Sequence, residues 1–142
     1  MKLKQLSVFL ENRPGHLGHV CKMLADAGIS IETLTLADTQ EFGILRLIVR
    51  DWEKAKRILE VGGSAVNAVD VMAIEVPDQP GGLENILKVA EQAGLGIAYM
   101  YAFALNGEGN TWIVIRFDDL DRAAQVLADA GIGVLSANEF YK

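Results

Sequence analysis

Asn12-Arg13-Pro14-Gly15-His16-Leu17 and Asp78-Gln79-Pro80-Gly81-Gly82-Leu83 share one layout, with Pro80 placed 66 residues after Pro14. Adjacent Pro and Gly mark a turn. Pro suits the first helical position, where its missing N–H has no partner in any case. Gly has no Cβ, so a neighbouring backbone or a ligand can come close. Asn12 and Asp78 put a polar side chain where a helix's free N–H groups begin, either as a cap or as a contact for a small polar ligand. Each copy follows a strand-like apolar run, residues 3–10 and 72–76. Each precedes a helical stripe: Leu17, Val20, Cys21, Leu24 and Ala27 are answered by Leu83, Ile86, Leu87, Ala90 and Ala93.

The correspondence continues outward. Ala27-Gly28-Ile29-Ser30-Ile31 is matched in character by Ala93-Gly94-Leu95-Gly96-Ile97. Residues 29–36 are rich in β-branched side chains and predict a second strand, 38–43 a hairpin loop, and 44–50 a third strand. Asp51 is placed to cap a second helix that ends at Gly62-Gly63, and 65–76 is again extended. Ile58-Leu59 is answered by Val126-Leu127 at an offset of 68, so two residues are inserted on the way. Asn106 to Asn110 is the natural place, because lengthening a surface loop costs little. The chain therefore reads as a tandem duplication. Each half is βαββαβ, an α+β ferredoxin-like arrangement with a four-stranded antiparallel sheet and two helices on one face. The halves are expected over 1–70 and 71–142, joined without a Gly/Ser/Pro linker as a rigid pair. On the helix-free face, Ile44, Ile48, Trp112 and Val114 are expected to form an open apolar surface. Arg46 and Arg116 sit in otherwise apolar strands on matching faces, and are expected either to pair with acids across an interface, the favoured reading, or to edge into solvent.

Composition bounds the function. A 142-residue chain with 51% hydrophobic residues has material for packed cores. A net charge of −6 argues against sequence-independent nucleic-acid binding, which needs clustered Lys and Arg. No apolar run reaches the ~18–20 residues that cross a bilayer. Met1 to Gln5 lead into no signal-like segment, and the single Cys21 cannot form an internal disulfide. A cytoplasmic protein is expected, without membrane or nucleic-acid partners. His16 and His19 alone are too few for a zinc site, and Cys21 falls on the apolar stripe, so no metal and no cofactor is expected.

The repeated Pro-Gly junction, with Asn or Asp two residues before Pro and Leu two after Gly, resembles the signature of ACT domains. So does the Ala-Gly-Ile-Ser-Ile step after the first helix. The resemblance covers nearly the whole chain, as two ACT domains in tandem like those of small stand-alone bacterial amino-acid-binding proteins. It implies a small-molecule sensor, usually for amino acids and often attached to metabolic enzymes. Matched residue by residue, the ligand contacts it implies are Asn12, Arg13, Gly15, His16 and Leu17 in the first half, with Ser30 and Ile31 from the start of the second strand. In the second half they are Asp78, Gly81, Gly82 and Leu83, with Gly96 and Ile97. Gln79 stands where the first half has Arg13, and Gly82 where it has His16, so the first copy is expected to make the more selective contact.

Elementary chemistry agrees with that expectation. A free amino acid presents a carboxylate, which suits the N–H groups at a helix start, and an ammonium, which suits an amide or carboxylate oxygen such as Asn12 or Asp78 offers. Tyr99 and Tyr101, two apart on one strand face, are candidates for the pocket wall, or equally for a packed sheet face. The leading expectation is a non-catalytic sensor that binds a free amino acid between ACT domains, in a homodimer. A regulatory subunit whose main role is contact with a biosynthetic enzyme is the alternative. A small enzyme ranks last, since no nucleophile–base pair, metal cluster or phosphate-cradling loop is evident.

Overall fold

A computed structural model describes residues 2–11, 13–38, 42–104 and 110–141. The chain divides into two compact units, Lys4–Val69 and Asp70–Lys142 with Met1–Leu3. In the first unit the elements are β1 (Leu3–Glu11), α1 (His16–Asp26), β2 (Ile31–Asp38), β3 (Phe42–Val49) and α2 (Trp52–Val61). β4 (Ala65–Pro77) runs through the boundary between the units. The second unit continues with α3 (Gly82–Gln92), β5 (Ile97–Ala104), β6 (Asn110–Phe117), α4 (Leu120–Asp129) and a short α5 (Ala137–Phe140).

In the first unit the strands lie in the order β2-β3-β1-β4, with β3 antiparallel to both β1 and β2. Alternation sends Leu6, Val8 and Leu10 of β1 and Leu45, Leu47 and Val49 of β3 to one face. There they pack with Val20 and Leu24 of α1 and Ala55 and Leu59 of α2. In the second unit Met72, Ile74 and Val76 of β4 join Ile113, Ile115 and Phe117 of β6, under Ile86 and Ala90 of α3 and Leu120, Ala123 and Leu127 of α4. Both helices of each half thus cover the same sheet face, as a ferredoxin-like unit requires.

The registers make the duplication quantitative. Asp38 pairs with Gly43 and Ala104 with Thr111, offsets of 66 and then 68. The two extra residues therefore fall between β5 and β6, a span that includes 105–109, which lie outside the described residues. Even the irregularity recurs, between Ile31 and Thr33 and between Ile97 and Tyr99. Capping recurs too: Asp51 accepts from the Lys54 N–H at 3.4 Å, and Asp119 from the Arg122 N–H at 3.1 Å.

The second half departs from the expected four-stranded sheet at its end. Its last strand is reduced to a single antiparallel bridge, Ile74 with Val134, held by the Glu75 N–H on the Gly133 carbonyl (3.0 Å) and the Leu135 N–H on the Ala73 carbonyl (2.9 Å). The reason is local. Ser136 and Glu139 form a reciprocal capping box that starts α5 one residue after Leu135. The corresponding stretch of the first half, Ala65-Val66-Asn67-Ala68-Val69, has no such stop and continues as β4.

The expectation of an open apolar face is also corrected. Ile48 and Val114 are fully buried, and Trp112 stacks on Phe140 of α5 with ring centroids 5.7 Å apart. Arg116, on the same face, donates to the main-chain carbonyl of Asp70 at 2.6 Å, so its partner there is backbone and not an acid side chain. No helix among the described residues is long and apolar enough to cross a membrane.

Candidate functional site

Each Pro-Gly junction turns β1 or β4 into the first helix of its half. Gly15 and Gly81 hold φ of 91° and 85° at the N-cap, the left-handed region that other L-residues rarely enter. Neither can supply a side-chain cap. Among the described residues α1 and α3 therefore begin without a side-chain cap, whereas α2, α4 and α5 are capped by Asp51, Asp119 and Ser136. Among the first N–H groups of α3, that of Gly82 reaches the Gln79 carbonyl (3.1 Å) and that of Asn85 the Gly81 carbonyl (3.0 Å).

The two junctions differ in detail. In the first, the Glu11 N–H donates to His16 Nδ1 at 2.9 Å, and Arg13 Nε meets Glu11 Oε2 at 2.6 Å on the surface. In the second, Pro77 has no N–H to donate and Gly82 has no side chain to accept. Gly82 is buried against the Pro77 carbonyl oxygen, closer than a Cβ could tolerate. The turn is looser where a side chain is present: His16 N–H lies 3.5 Å from the Arg13 carbonyl, against 3.1 Å for Gly82 and Gln79.

A cleft of about 410 Å³ lies at the second junction. Gln79, Gly81 and Gly82 line it with Pro77, Asn85 and Ile86. So do Glu75 and Asn110 from the ends of β4 and β6, and the turn from Ala130 to Gly133. The Asn110 side-chain amide donates to Glu75 Oε1 at 2.9 Å, which fixes a half-buried carboxylate on the wall. Glu75, Asn85, Asn110 and Gly133 were not expected from the repeated motif, because none of them is shared by the two copies. The signal available was a lone Glu within an apolar strand.

A second cleft, of about 330 Å³, lies in the first unit, lined by Gly28, Ile29, Ser30, Glu32, Arg50, Asp51 and Lys54. Its charges balance, and Lys54 Nζ reaches the Ala27 carbonyl at 3.4 Å. Arg122, the matching residue of the second half, donates to the corresponding Ala93 carbonyl.

The expected contacts separate into two groups. Asn12 lies outside the described residues. Arg13, Gly15 and Leu17 are exposed and His16 is half-buried, all at the first junction. Asp78 and Gly81 are exposed at the second, and Leu83 packs on the second core. Ser30 and Gly96 are exposed at the other end of their sheets, where Ile31 and Ile97 pack on the two cores. Glu11 pairs with Phe42 and Ile31 with Val49, at opposite ends of β3. Seven steps of ~3.4 Å put these groups about 24 Å apart within one unit. The second half has the same arrangement, with Pro77 opposite Asn110 and Ile97 opposite Phe117. Tyr99 and Tyr101 are half-buried on the helix-free face, opposite Arg116 and Val114. Among the described residues no group of three or more His, Cys, Asp or Glu is placed to hold a metal ion.

Comparison with known proteins agrees with this architecture. A family model described as an ACT domain pair matches residues 1–141. The crystal structure of protein BT0572 from Bacteroides thetaiotaomicron is similar with a TM-score of 0.93 and 40% identity, over 100% of this chain and 97% of that one. The ligand-free regulatory subunit of aspartate kinase from Thermus thermophilus matches with a TM-score of 0.66 over 89% of this chain and 91% of that one; at 15% identity the likeness is one of fold. An acetolactate synthase small subunit from Buchnera aphidicola subsp. Baizongia pistaciae is 30% identical over 80 residues, 56% of this chain and 50% of that protein. The match therefore spans half the length of that relative. With the family model spanning both halves, and the strand–turn–helix junction present in each, the chain belongs to the ACT-domain family as an ACT domain pair.

Proposed function

We propose that this protein is a non-catalytic sensor that binds a free amino acid at an interface between ACT domains and regulates amino-acid metabolism. The observation that carries the reading is the cleft at the second junction, where α3 starts without a side-chain cap beside an open wall. Uncapped N–H groups at a helix start attract a carboxylate, by ~0.3–1 kcal/mol for an exposed anion. The separation of the expected contacts supports an interfacial site. Junction residues and the Ser30-Ile31 or Gly96-Ile97 step cannot meet within one unit, so a ligand that touches both groups must draw on two units or on two chains of a homodimer.

The regulatory part of the proposal draws on relatives that are named as small or regulatory subunits. A biosynthetic enzyme as a second partner finds support at the edge strand β2, where Leu34 and Leu36 remain 47% and 49% exposed.

A thermal-shift screen of the twenty amino acids tests the reading. Ligand at 100 times its Kd stabilises the bound state by ~2.7 kcal/mol, so one or a few amino acids at millimolar concentration raise the melting temperature by several degrees. No response to any of them refutes the proposal.

A further inference from the structure

The two junctions have diverged at positions that line the second cleft. Allowing for the two-residue insertion, Glu75 corresponds to Phe9 and Asn110 to Phe42. In the second unit these positions hold the 2.9 Å amide–carboxylate bond. In the first they hold two aromatic rings in edge contact, centroids 6.2 Å apart. Pro77 and Gly82 correspond to Glu11 and His16, and there both halves of the backbone–imidazole bond are replaced together. Two separate pairs thus differ in the same sense. The first junction places an imidazole and two phenyl rings where the second places bare backbone and a carboxylate.

The second cleft is also one-sided in charge. Glu75 lines it, while no Lys, Arg or His does among the described residues. Asn110 occupies Oε1, and Oε2 lies beside Gly133, 3.8 Å from where a Cβ would stand. A half-buried carboxylate held in one orientation by a neutral amide, on a cleft wall that Gly133 leaves without a side chain, is matched by a hydrogen-bonding cation. A ligand carrying a second carboxylate would meet Glu75 with no cation among the described lining residues to receive it.

We infer that the amino acid occupies the second junction alone, one per chain, with Glu75 receiving its ammonium group, Asn110 positioning Glu75, and acidic amino acids excluded. The inference rests on the sensor reading above and assigns the selective contact to the second copy and not the first.

Titration calorimetry of the full chain with the twenty amino acids tests it, followed by the N-acetyl form of the tightest ligand and by the variants Glu75→Gln, Asn110→Ala and Phe9→Ala. The expected result is one site per chain and no heat from aspartate or glutamate. N-acetylation and Glu75→Gln each weaken binding at least tenfold, Asn110→Ala weakens it less, and Phe9→Ala leaves it unchanged. Two sites per chain, a preference for an acidic amino acid, or binding indifferent to both N-acetylation and Glu75→Gln overturns the inference while leaving the sensor reading standing. Should Glu75→Gln fail to fold by circular dichroism, the N-acetyl and acidic-ligand comparisons on the unaltered chain still decide it. No heat from any amino acid brings down the sensor reading and this inference with it.

Discussion

Gly82→Ala and Gly62→Ala both add one methyl group at a crowded glycine, and the structure assigns them opposite outcomes. At Gly82 the new Cβ overlaps the main-chain carbonyl oxygen of Pro77 and stands 3.4 Å from Val76 Cγ1. A carbonyl fixed at the end of β4 cannot rotate away, so the turn itself must open. The first junction shows the form that opening takes: with His16 in this place, the hydrogen bond to residue 13 lengthens to 3.5 Å. Forced overpacking of this kind costs about 1–3 kcal/mol, which lowers the melting temperature by roughly 3–10 °C for a chain of this size. At Gly62 the new Cβ overlaps Met23 Sδ, the end of a flexible side chain that can move aside. Gly62 has φ of −75°, which alanine adopts freely. Restricting the unfolded chain then returns about 0.4–1 kcal/mol, so the net change is close to zero or stabilising. Urea denaturation of both variants gives the comparison, and the account also expects Gly82→Ala to weaken amino-acid binding. Equal losses for the two variants, or a larger loss at Gly62, would refute the reasoning.

Asp119→Ala and Asp51→Ala each remove a helix cap at a cost of about 1 kcal/mol in chemical denaturation, with the larger loss at Asp119, whose bond is 3.1 Å against 3.4 Å. Phe140→Ala removes a buried ring stacked on Trp112. It should cost about 3 kcal/mol and shift tryptophan emission to the red as the indole gains water; an unchanged spectrum would mean that α5 does not cover this face. Ser136→Ala breaks the capping box and should loosen the same helix by about 1 kcal/mol, read as faster amide exchange at Glu139 and Phe140.

The fold was legible because the features that set it are local and repeated. The Pro-Gly turns, the i, i+3, i+4 stripes and the Ala-Gly step recur at fixed spacing, and each is enforced by backbone chemistry within a few residues. The fourth strand of the second half was misread by symmetry. Ser136 and Glu139 carry the helix-start pattern, but repeating the first half's βαββαβ order in the second half passes over it. The helix-free face was assigned to the correct side of the sheet, yet the cover that Phe140 gives Trp112 depends on a contact between residues far apart in the chain.

The candidate site was half legible. Its glycines show in the motif because close approach demands them. Glu75 and Asn110 do not, because they are 35 residues apart, meet only through the antiparallel register of β4 and β6, and differ from their counterparts Phe9 and Phe42. A search for what two copies share passes over the positions at which they have been put to different uses. The distance between the junctions and Ser30 or Gly96 was likewise hidden, since it follows from strand direction and not from residue type.

The central claim is that the chain holds a free amino acid, and a native mass spectrum tests it most directly. After incubation with the twenty amino acids at millimolar concentration and gentle desalting, the account predicts a species heavier than the bare chain by the mass of one amino acid per chain. A spectrum that shows only the bare chain or its oligomers would contradict it.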